Sequence, residues 1–131
     1  MRVLDATFLV DYGNELDETA EYLLKHSAEE FVIPSPVLTE YLLGMVHGTQ
    51  PTDIPSARAE LSWAHIAEID EDTATTASEI ADEIGEEEPD LTGIDSLVAA
   101  VGRELGAPVV SNDTDLTHDE TKKVVEVEEY R

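Results

Sequence analysis

Short apolar segments that alternate with stretches of helical spacing constrain the fold of this chain more than any other feature. The apolar segments are MRVLD, FVIP, HIAEID, APVVS and KKVVEVEEY. Between them, apolar residues recur at helical spacing, as at Leu16, Ala20, Leu23 and Leu24. Short apolar strands that alternate with helices are typical of a parallel sheet covered by helices on both faces. The pattern predicts an α/β fold, and a chain of 131 residues is a usual length for a single domain, here 1–131.

Capping residues and glycines predict where most of the helices begin and end. Ser35 is a natural N-cap, and Pro36 suits the first helical position. Thr92 and Gly106 bracket a helix over GIDSLVAAVGREL, and Gly85 ends the helix before it. That earlier helix has its N-cap at position 70 or 72, and two further helices are expected over 16–30 and 56–64, with a loop before the second.

The charge of the chain is extreme. Seven Lys and Arg against 31 Asp and Glu give a net charge of −24. In dilute buffer such a surface repels nucleic acid, but at about 1 M salt the Debye length falls to about 3 Å. The acids are spread over the whole chain, which indicates a halophilic origin, so the charge does not exclude a nucleic-acid partner.

Cysteine and membrane signals exclude several classes of protein. The chain has no cysteine, which removes disulfides, thiolate catalysis and cysteine-ligated zinc. No apolar stretch approaches the length that spans a bilayer, and the N-terminus lacks the pattern of a signal peptide. We therefore expect a cytoplasmic protein with no membrane partner.

Acidic residues follow the predicted strands, where a parallel sheet binds its ligands. Asp5 ends the first strand, and Asp113 and Asp115 follow the fourth. Glu40 and Asp95 lie near the starts of two helices. Carboxylates that converge without lysine or arginine take up protons or bind cations, and oxygen ligands alone suit Mg²⁺ or Mn²⁺. Two such ions can activate water and stabilise the cleavage of a phosphodiester.

Each of these acids also has a structural interpretation. Asp5 could cap the following helix, and Thr92 with Asp95 resembles a capping box. Glu40 suits the helix dipole, and the acids of SNDTDL could simply shape a turn. The surroundings favour a site, because Asp5 lies inside the apolar stretch VLDATFLVDY and Asp95 shares a helix with small residues that let the helix approach the sheet.

The motifs, taken in order, resemble PIN-domain ribonucleases, and most closely the VapC-type toxins of toxin–antitoxin pairs. VLDATFLVDY resembles the opening strand and helix of that family, and IPSPVLTEYLLG resembles its second block. GIDSLVAAVGRELGAPVVSNDTDL resembles the third and fourth blocks. The similarity covers nearly the whole chain, and it implies a PIN-like three-layer sandwich with a five-stranded parallel sheet and helices on both faces.

The resemblance implies a Mg²⁺- or Mn²⁺-dependent endoribonuclease that acts as a toxin, binds RNA and a small antitoxin, and forms a homodimer. The residues that it makes catalytic are Asp5, Glu40, Asp95 and Asp113. The metal ligands that it implies are Asp5, Asp95, Asp113 and Asp115, with Asp115 as an auxiliary acid. Thr7 and Ser111 would supply hydroxyl groups that orient carboxylates or water.

Three other interpretations stay open. A PIN nuclease could act in RNA maturation without an antitoxin. An α/β domain with an acidic cleft could bind Mg²⁺ or a partner without catalysis. A phosphoaspartate receiver is disfavoured, because Lys122 and Lys123 precede the final strand where a receiver has a lysine at the end of it. His118 follows Asp115 by three residues and could approach the site, whereas the other histidines are expected at the surface.

Overall fold

Five parallel strands form one sheet in the computed structural model, which describes residues 1–86 and 88–131. The strands are β1 (Arg2–Leu4), β2 (Phe31–Pro34), β3 (His65–Ala67), β4 (Val109–Val110) and β5 (Val127–Glu128). Their order across the sheet is β3-β2-β1-β4-β5. One row of residues is in register through all five strands, namely His65, Val32, Val3, Val109 and Val127. The predicted five-stranded parallel sheet is confirmed.

Seven helices connect the strands in the described residues. They are α1 (Ala6–Gly13), α2 (Asp17–Lys25), α3 (Ser35–Val46), α4 (Ile54–Ala59), α5 (Glu71–Ile84), α6 (Gly93–Leu105) and α7 (Asp119–Lys122). Because crossovers between parallel strands are right-handed, α1 to α4 cover one face, where the chain moves from β1 to β3. The chain then returns across the sheet to β4, which puts α5 and α6 on the other face.

Several helix boundaries differ from the predictions. Helix α3 has Pro34 as its N-cap and starts at Ser35, so Ser35 is not the cap and Pro36 is the second helical residue. Helix α4 starts inside the predicted loop, because the Asp53 carboxylate accepts a hydrogen bond from the Ser56 N–H. The Asp70 cap of α5 and the Gly106 end of α6 agree with the sequence.

Small residues on α6 bring that helix close to the sheet. Ala99 and Ala100 are fully buried. A methyl group added at Gly102 would come within 2.7 Å of Val109 Cγ2 on β4 and 3.2 Å of the Ala107 carbonyl oxygen. Since a β-branched valine has little freedom to move aside, only glycine allows α6 to lie this near to β4.

The order of the strands creates a crevice at one edge of the sheet. β2 and β4 are both neighbours of β1, and the chain reaches them by connections on opposite faces. Ligands of open α/β sheets bind at such a point, beyond the carboxyl ends of the strands. Asp5 directly follows β1, and the acids of SNDTDL follow β4, so both reach this crevice. In the described part of the chain, no helix combines the length and apolar character needed to cross a membrane.

Candidate metal centre

Asp5 is buried at the carboxyl end of β1. Its carboxylate accepts hydrogen bonds from the Phe8 N–H at 3.1 Å, the Thr7 hydroxyl at 2.8 Å and the Ser111 hydroxyl. The bond to Phe8 caps α1, so the structural interpretation of Asp5 is correct as far as it goes. Burial raises the pKa of Asp5, and the charge of Asp113 acts in the same direction, while the three hydrogen bonds oppose the rise. Asp5 therefore caps a helix, and its pKa also responds to the negative charge of Asp113 in the crevice.

The segment SNDTDL turns back on itself directly after β4. The Asp113 carboxylate accepts the N–H groups of Asp115 and Leu116 at 3.0 and 3.1 Å, and the Asp113 N–H donates to the Ser111 hydroxyl at 2.9 Å. Leu116 is fully buried and anchors the turn in the core. The turn holds Asp113 and Asp115 on the rim of the crevice.

Three carboxylates meet where α6 approaches this turn. One oxygen from each of Asp95, Asp113 and Asp115 lies within 4.8 Å of the other two. We call these three residues the acidic trio. Asp95 reaches it from the first turn of α6, whose N-cap Thr92 makes no side-chain capping bond in the described structure.

The charged groups that affect Asp95 in the acidic trio are all negative. The pKa of Asp95 is raised to about 6, first by burial and then by the charges of Asp113, Asp5, Asp115 and Glu40. All four of these neighbours are acidic. At neutral pH such a group of charges is stable only with a cation nearby or with a bound proton.

Glu40 faces the trio from the second turn of α3. Its side chain is mostly exposed, and burial and the charge of Asp113 both raise its pKa. It borders a pocket between α1 and α3 that includes Val10, Gly13 and Tyr41. The structure thus brings all five predicted acids to one crevice. Three of them form the acidic trio, and Asp5 and Glu40 lie beside it.

The donor set fits a hard divalent cation. Oxygens that are both about 2.0–2.1 Å from Mg²⁺ can be about 4.2 Å apart at most, and Mg²⁺ often keeps water in several positions. The upper bound of 4.8 Å on the separations of these carboxylate oxygens is slightly longer than that limit. A bridging water or a small closing movement would let all three share one ion. Asp95, Asp113 and Asp115 are the residues that would hold it.

Two hydroxyl groups connect the acids of β1 to those after β4. Thr7 donates to Asp5 and accepts the Asn112 N–H at 3.0 Å. Ser111 is fully buried, donates to Asp5 and accepts from the Asp113 N–H at 2.9 Å. Each hydroxyl group therefore links Asp5, at the end of β1, to the segment that follows β4.

His118 has a structural task that the sequence interpretation missed. Its Nδ1 accepts the Glu120 N–H at 3.1 Å and caps α7. A histidine that caps a short helix needs no ligand to explain its position. Arg103 lies eight residues beyond Asp95 and forms an ion pair with Glu83.

The sequence interpretation also missed a second group of residues at the rim. Tyr130 donates to the Asp11 carboxylate at 2.5 Å, and Arg131 Nε lies 3.3 Å from the same carboxylate. With its amide oriented to satisfy both neighbours, Asn112 accepts from Arg131 Nε at 2.7 Å. Residues 130 and 131 lie beyond the last motif, so no spacing rule connects them to Asp11 or Asn112.

The fold defines a doubly wound α/β domain with a cluster of carboxylates at its crevice. The PIN domain family matches residues 2–122. The chain belongs to the PIN-domain family. No curated protein sequence matches it significantly.

Solved structures of toxin–antitoxin complexes share this fold. A chain of VapBC2 from Rickettsia felis, bound to a DNA fragment from its promoter, superposes with a TM-score of 0.80 at 18% identity, over 98% of this chain and 97% of its own. DNA-bound VapBC from Salmonella typhimurium gives a TM-score of 0.79 at 18% identity, with coverage of 99% and 98%. VapC20 of Mycobacterium tuberculosis, a toxin that cleaves the sarcin–ricin loop, gives a TM-score of 0.69 at 19% identity, with coverage of 89% and 93%. At these identities the similarity establishes the common fold.

Proposed function

We propose that this chain is a metal-dependent endoribonuclease and the toxin of a type II toxin–antitoxin pair. The observation that carries the proposal is the convergence of Asp95, Asp113 and Asp115 within 4.8 Å of one another, at the crevice of a PIN-domain sheet. Membership of the PIN family and the fold shared with VapC20, a toxin that cleaves RNA, support the same activity.

The acids have distinct tasks in this proposal. Asp95, Asp113 and Asp115 would hold the divalent ion, Mg²⁺ or Mn²⁺. Asp5 lies close enough for its charge to raise the pKa of Asp95. A bound ion of this kind supplies Lewis-acid polarisation of phosphate and a water of lowered pKa. Glu40, which is exposed, borders the crevice from the side of α3 and is suited to accept a proton from water at the scissile phosphate.

The hydroxyl groups and the buried strand ends keep this arrangement rigid. Thr7 and Ser111 hold the Asp5 carboxylate by two hydrogen bonds, and the Ser111 N–H is bound to the Glu128 carbonyl of β5 at 3.0 Å. Preorganised groups of this kind cost little reorganisation when a charged substrate arrives. The proposal therefore assigns a positioning task to Thr7 and Ser111.

The proposed partners follow from the same similarity. They are an RNA substrate, a small antitoxin and a second copy of the chain in a homodimer, and the protein acts in the cytoplasm as a single domain over 1–131. Apolar side chains on α3 and α4, namely Leu43, Val46 and Ile54, are about half exposed, which offers apolar area for a protein partner. Light scattering of the purified chain, alone and with the product of a neighbouring short gene, tests both assemblies.

The central test compares wild type with Asp95→Asn in RNA cleavage with Mn²⁺ or Mg²⁺, over a range of KCl concentrations. We expect loss of most of the rate in the variant. The same pair is compared by thermal unfolding with and without Mn²⁺, because a ligand that binds only the folded state stabilises it by about 2.7 kcal/mol at a hundred times its Kd.

Asp82→Asn is a matched control for this comparison. Asp82 is an exposed acid on α5, so the variant changes the net charge by the same amount away from the crevice. It should cleave RNA and respond to Mn²⁺ like wild type. Equal cleavage by wild type and Asp95→Asn would contradict the nuclease, and Mn²⁺ binding without any cleavage would favour a non-catalytic domain.

A further inference from the structure

A pocket at the crevice contains a cation, Arg131. The pocket has a volume of about 270 Å³. Its lining residues are Ala6, Thr7, Val10, Asp11, Asn112 and Arg131. It adjoins the candidate metal centre, because the Asn112 N–H donates to Thr7, which in turn donates to Asp5. Asn112 also directly precedes Asp113 in the chain.

We propose that Arg131 binds an RNA backbone phosphate next to the scissile one, and thereby positions the strand over the acidic trio. The inference rests on the proposed nuclease function. It adds a substrate-binding residue that no motif contains, since Arg131 lies fifteen residues beyond the SNDTDL segment, which ends at Leu116.

The position of Arg131 is fixed by its neighbour in the chain. Tyr130 is buried, its ring packs edge-on against Phe8 at 4.9 Å, and its hydroxyl donates to Asp11. Arg131 Nε then lies 2.7 Å from the Asn112 amide oxygen and 3.3 Å from Asp11 Oδ2. The guanidinium is therefore held at the rim of the crevice by defined contacts.

The chemistry of the guanidinium leaves it able to bind an anion. Nε carries one N–H and the two terminal nitrogens carry four more, so the contacts with Asn112 and Asp11 engage only one side of the group. The side chain is 50% exposed to solvent. Arginine presents its remaining donors as a fork that matches phosphate oxygens. An exposed ion pair such as the one with Asp11 is worth only about 0–1 kcal/mol, which a phosphate contact can exceed.

The charge of the site requires such a group. A divalent ion held by the trio would compensate the scissile phosphate, but the next phosphate of the strand would still meet a protein whose net charge is −24. Two other arginines are bound to acids elsewhere: Arg2 to Glu29 and Glu128, and Arg103 to Glu83. Arg131 is a cation at the crevice itself, and it is positioned where the strand leaves the metal centre.

The competing explanation is that the pair between Arg131 and Asp11 only attaches the end of the described chain to α1. The two explanations differ in what they predict for RNA binding. A structural tie affects unfolding but not the affinity for RNA at temperatures where the protein is folded. A phosphate contact affects affinity and its dependence on salt, because each contact releases a counterion.

The test measures binding of a fluorescent single-stranded RNA of mixed sequence by anisotropy, in an Asp95→Asn background that does not cut the strand. Arg131→Gln should raise Kd about tenfold and reduce the slope of log Kd against log salt by about 0.7, the value for one contact on a single strand. Arg131→Lys should keep the slope and recover part of the affinity, since it keeps the charge but not the fork. In cleavage by the otherwise unmodified protein, Arg131→Gln should raise KM with little change in kcat.

Lys25→Gln is the matched control, because Lys25 is an exposed cation at the end of α2, near the start of β2 and away from the crevice. Equal Kd and salt slope for Arg131→Gln and Lys25→Gln would overturn the inference, including the case in which only the melting temperature of Arg131→Gln falls. Equal cleavage by wild type and Asp95→Asn would instead contradict the proposed function. The two failures are therefore distinguishable.

Discussion

The acids at the two ends of strand β1 have opposite kinds of partner. At its amino end, Arg2 donates to Glu29 at 2.8 Å and to Glu128 at 2.6 Å, while Tyr22 donates to Glu128 at 3.0 Å. At its carboxyl end, Asp5 and the acidic trio meet no compensating cation among their bonded partners in the described structure, and hydroxyl and N–H groups hold them instead. One end neutralises its acids within the protein, and the other leaves them available for a ligand.

The pKa values express the same contrast. The hydrogen bond from Arg2, and to a smaller extent that from His26, lowers the pKa of Glu29. At the other end, burial and neighbouring acids raise the pKa of Asp95 to about 6. An acid that is stabilised as an anion indicates a structural pair, and an acid that is destabilised as an anion indicates a candidate functional site.

The largest expected effect comes from Asp5→Asn at the carboxyl end of β1. RNA cleavage should fall about 100-fold or more, which corresponds to about 2.7 kcal/mol of barrier, because the charge beside the metal centre is lost. Stability in urea should change little, because the amide oxygen can still accept from Phe8 and Thr7 and a buried charge is removed. Asp53→Asn is the control, since Asp53 also caps a helix, by accepting from the Ser56 N–H at 3.1 Å. A loss of activity as large in Asp53→Asn would show that the charge of any capping carboxylate, and not the position of Asp5 at the crevice, explains the result.

Arg2→Gln removes the cation that neutralises Glu29 and Glu128 at the amino end of β1. We expect a loss of about 1–2 kcal/mol in the free energy of unfolding, measured in urea, because two acids lose charged hydrogen bonds and are only partly solvated. The rate of cleavage per folded molecule should stay near that of wild type. Arg103→Gln breaks a more exposed ion pair with Glu83 and should cost less. If Arg2→Gln lost activity like Asp5→Asn, the separation of the two ends would be wrong.

Thr7→Val tests whether hydroxyl groups replace cations at the carboxyl end. The change removes the donor to Asp5 and leaves the Asn112 N–H without its acceptor, which should cost about 1 kcal/mol in stability. The rate of cleavage should fall together with the stability, because Thr7 no longer links Asp5 to Asn112, the residue before Asp113. Thr7→Ser keeps the hydroxyl and should recover most of both losses. A valine variant that performs as well as the serine variant would contradict this task of the hydroxyl group.

The smallest effect is a dependence of stability on pH, in EDTA, between pH 7 and pH 5. The folded pKa of Asp95 is raised to about 6, so the folded state binds more protons than the unfolded state between pH 4 and pH 6. The acidic trio should therefore become less destabilising as pH falls through 6. Its contribution runs opposite to that of Glu29, whose lowered pKa gives stability that is lost only as pH falls below its ordinary range. Asp95→Asn should show a smaller gain on acidification than wild type, and an equal gain would contradict the assignment.

The sequence predicted the position of the acids better than their partners. Asp5 and Asp113 follow short apolar strands, and alternation with helices predicted the parallel sheet whose carboxyl edge they share. The strand order that makes β1 and β4 neighbours comes from the structure alone. Thr92 and Gly106 marked α6 correctly because caps and left-handed glycines act locally. What failed depends on distant parts of the chain, as when Arg131 meets Asp11 or when Tyr130 packs on Phe8.

His26 illustrates the same limit at the amino end of β1. A surface position was predicted, yet its side chain is only 13% exposed and its Nδ1 lies 2.8 Å from the Glu29 carboxylate. Its partner residues lie before β2 and in β5, and no spacing within α2 reveals them. The prediction for His26 was wrong because the burial of a helix end is decided by tertiary contacts.

The position of Asp95 depends on Gly102, which lies seven residues further along α6. Because Gly102 has no side chain, the backbone of α6 packs directly against the Val109 side chain of β4. A methyl group there would tilt or lift α6 and carry the Asp95 carboxylate away from the turn after β4. The gap that an ion must bridge would then be wider, which favours a larger ion such as Ca²⁺, at 2.3–2.6 Å from its ligands, over Mg²⁺ at about 2.0–2.1 Å. Comparison of thermal shifts with Mg²⁺ and Ca²⁺ in Gly102→Ala would show whether the choice of ion is made at the metal ligands alone or also by the absence of one methyl group in the core.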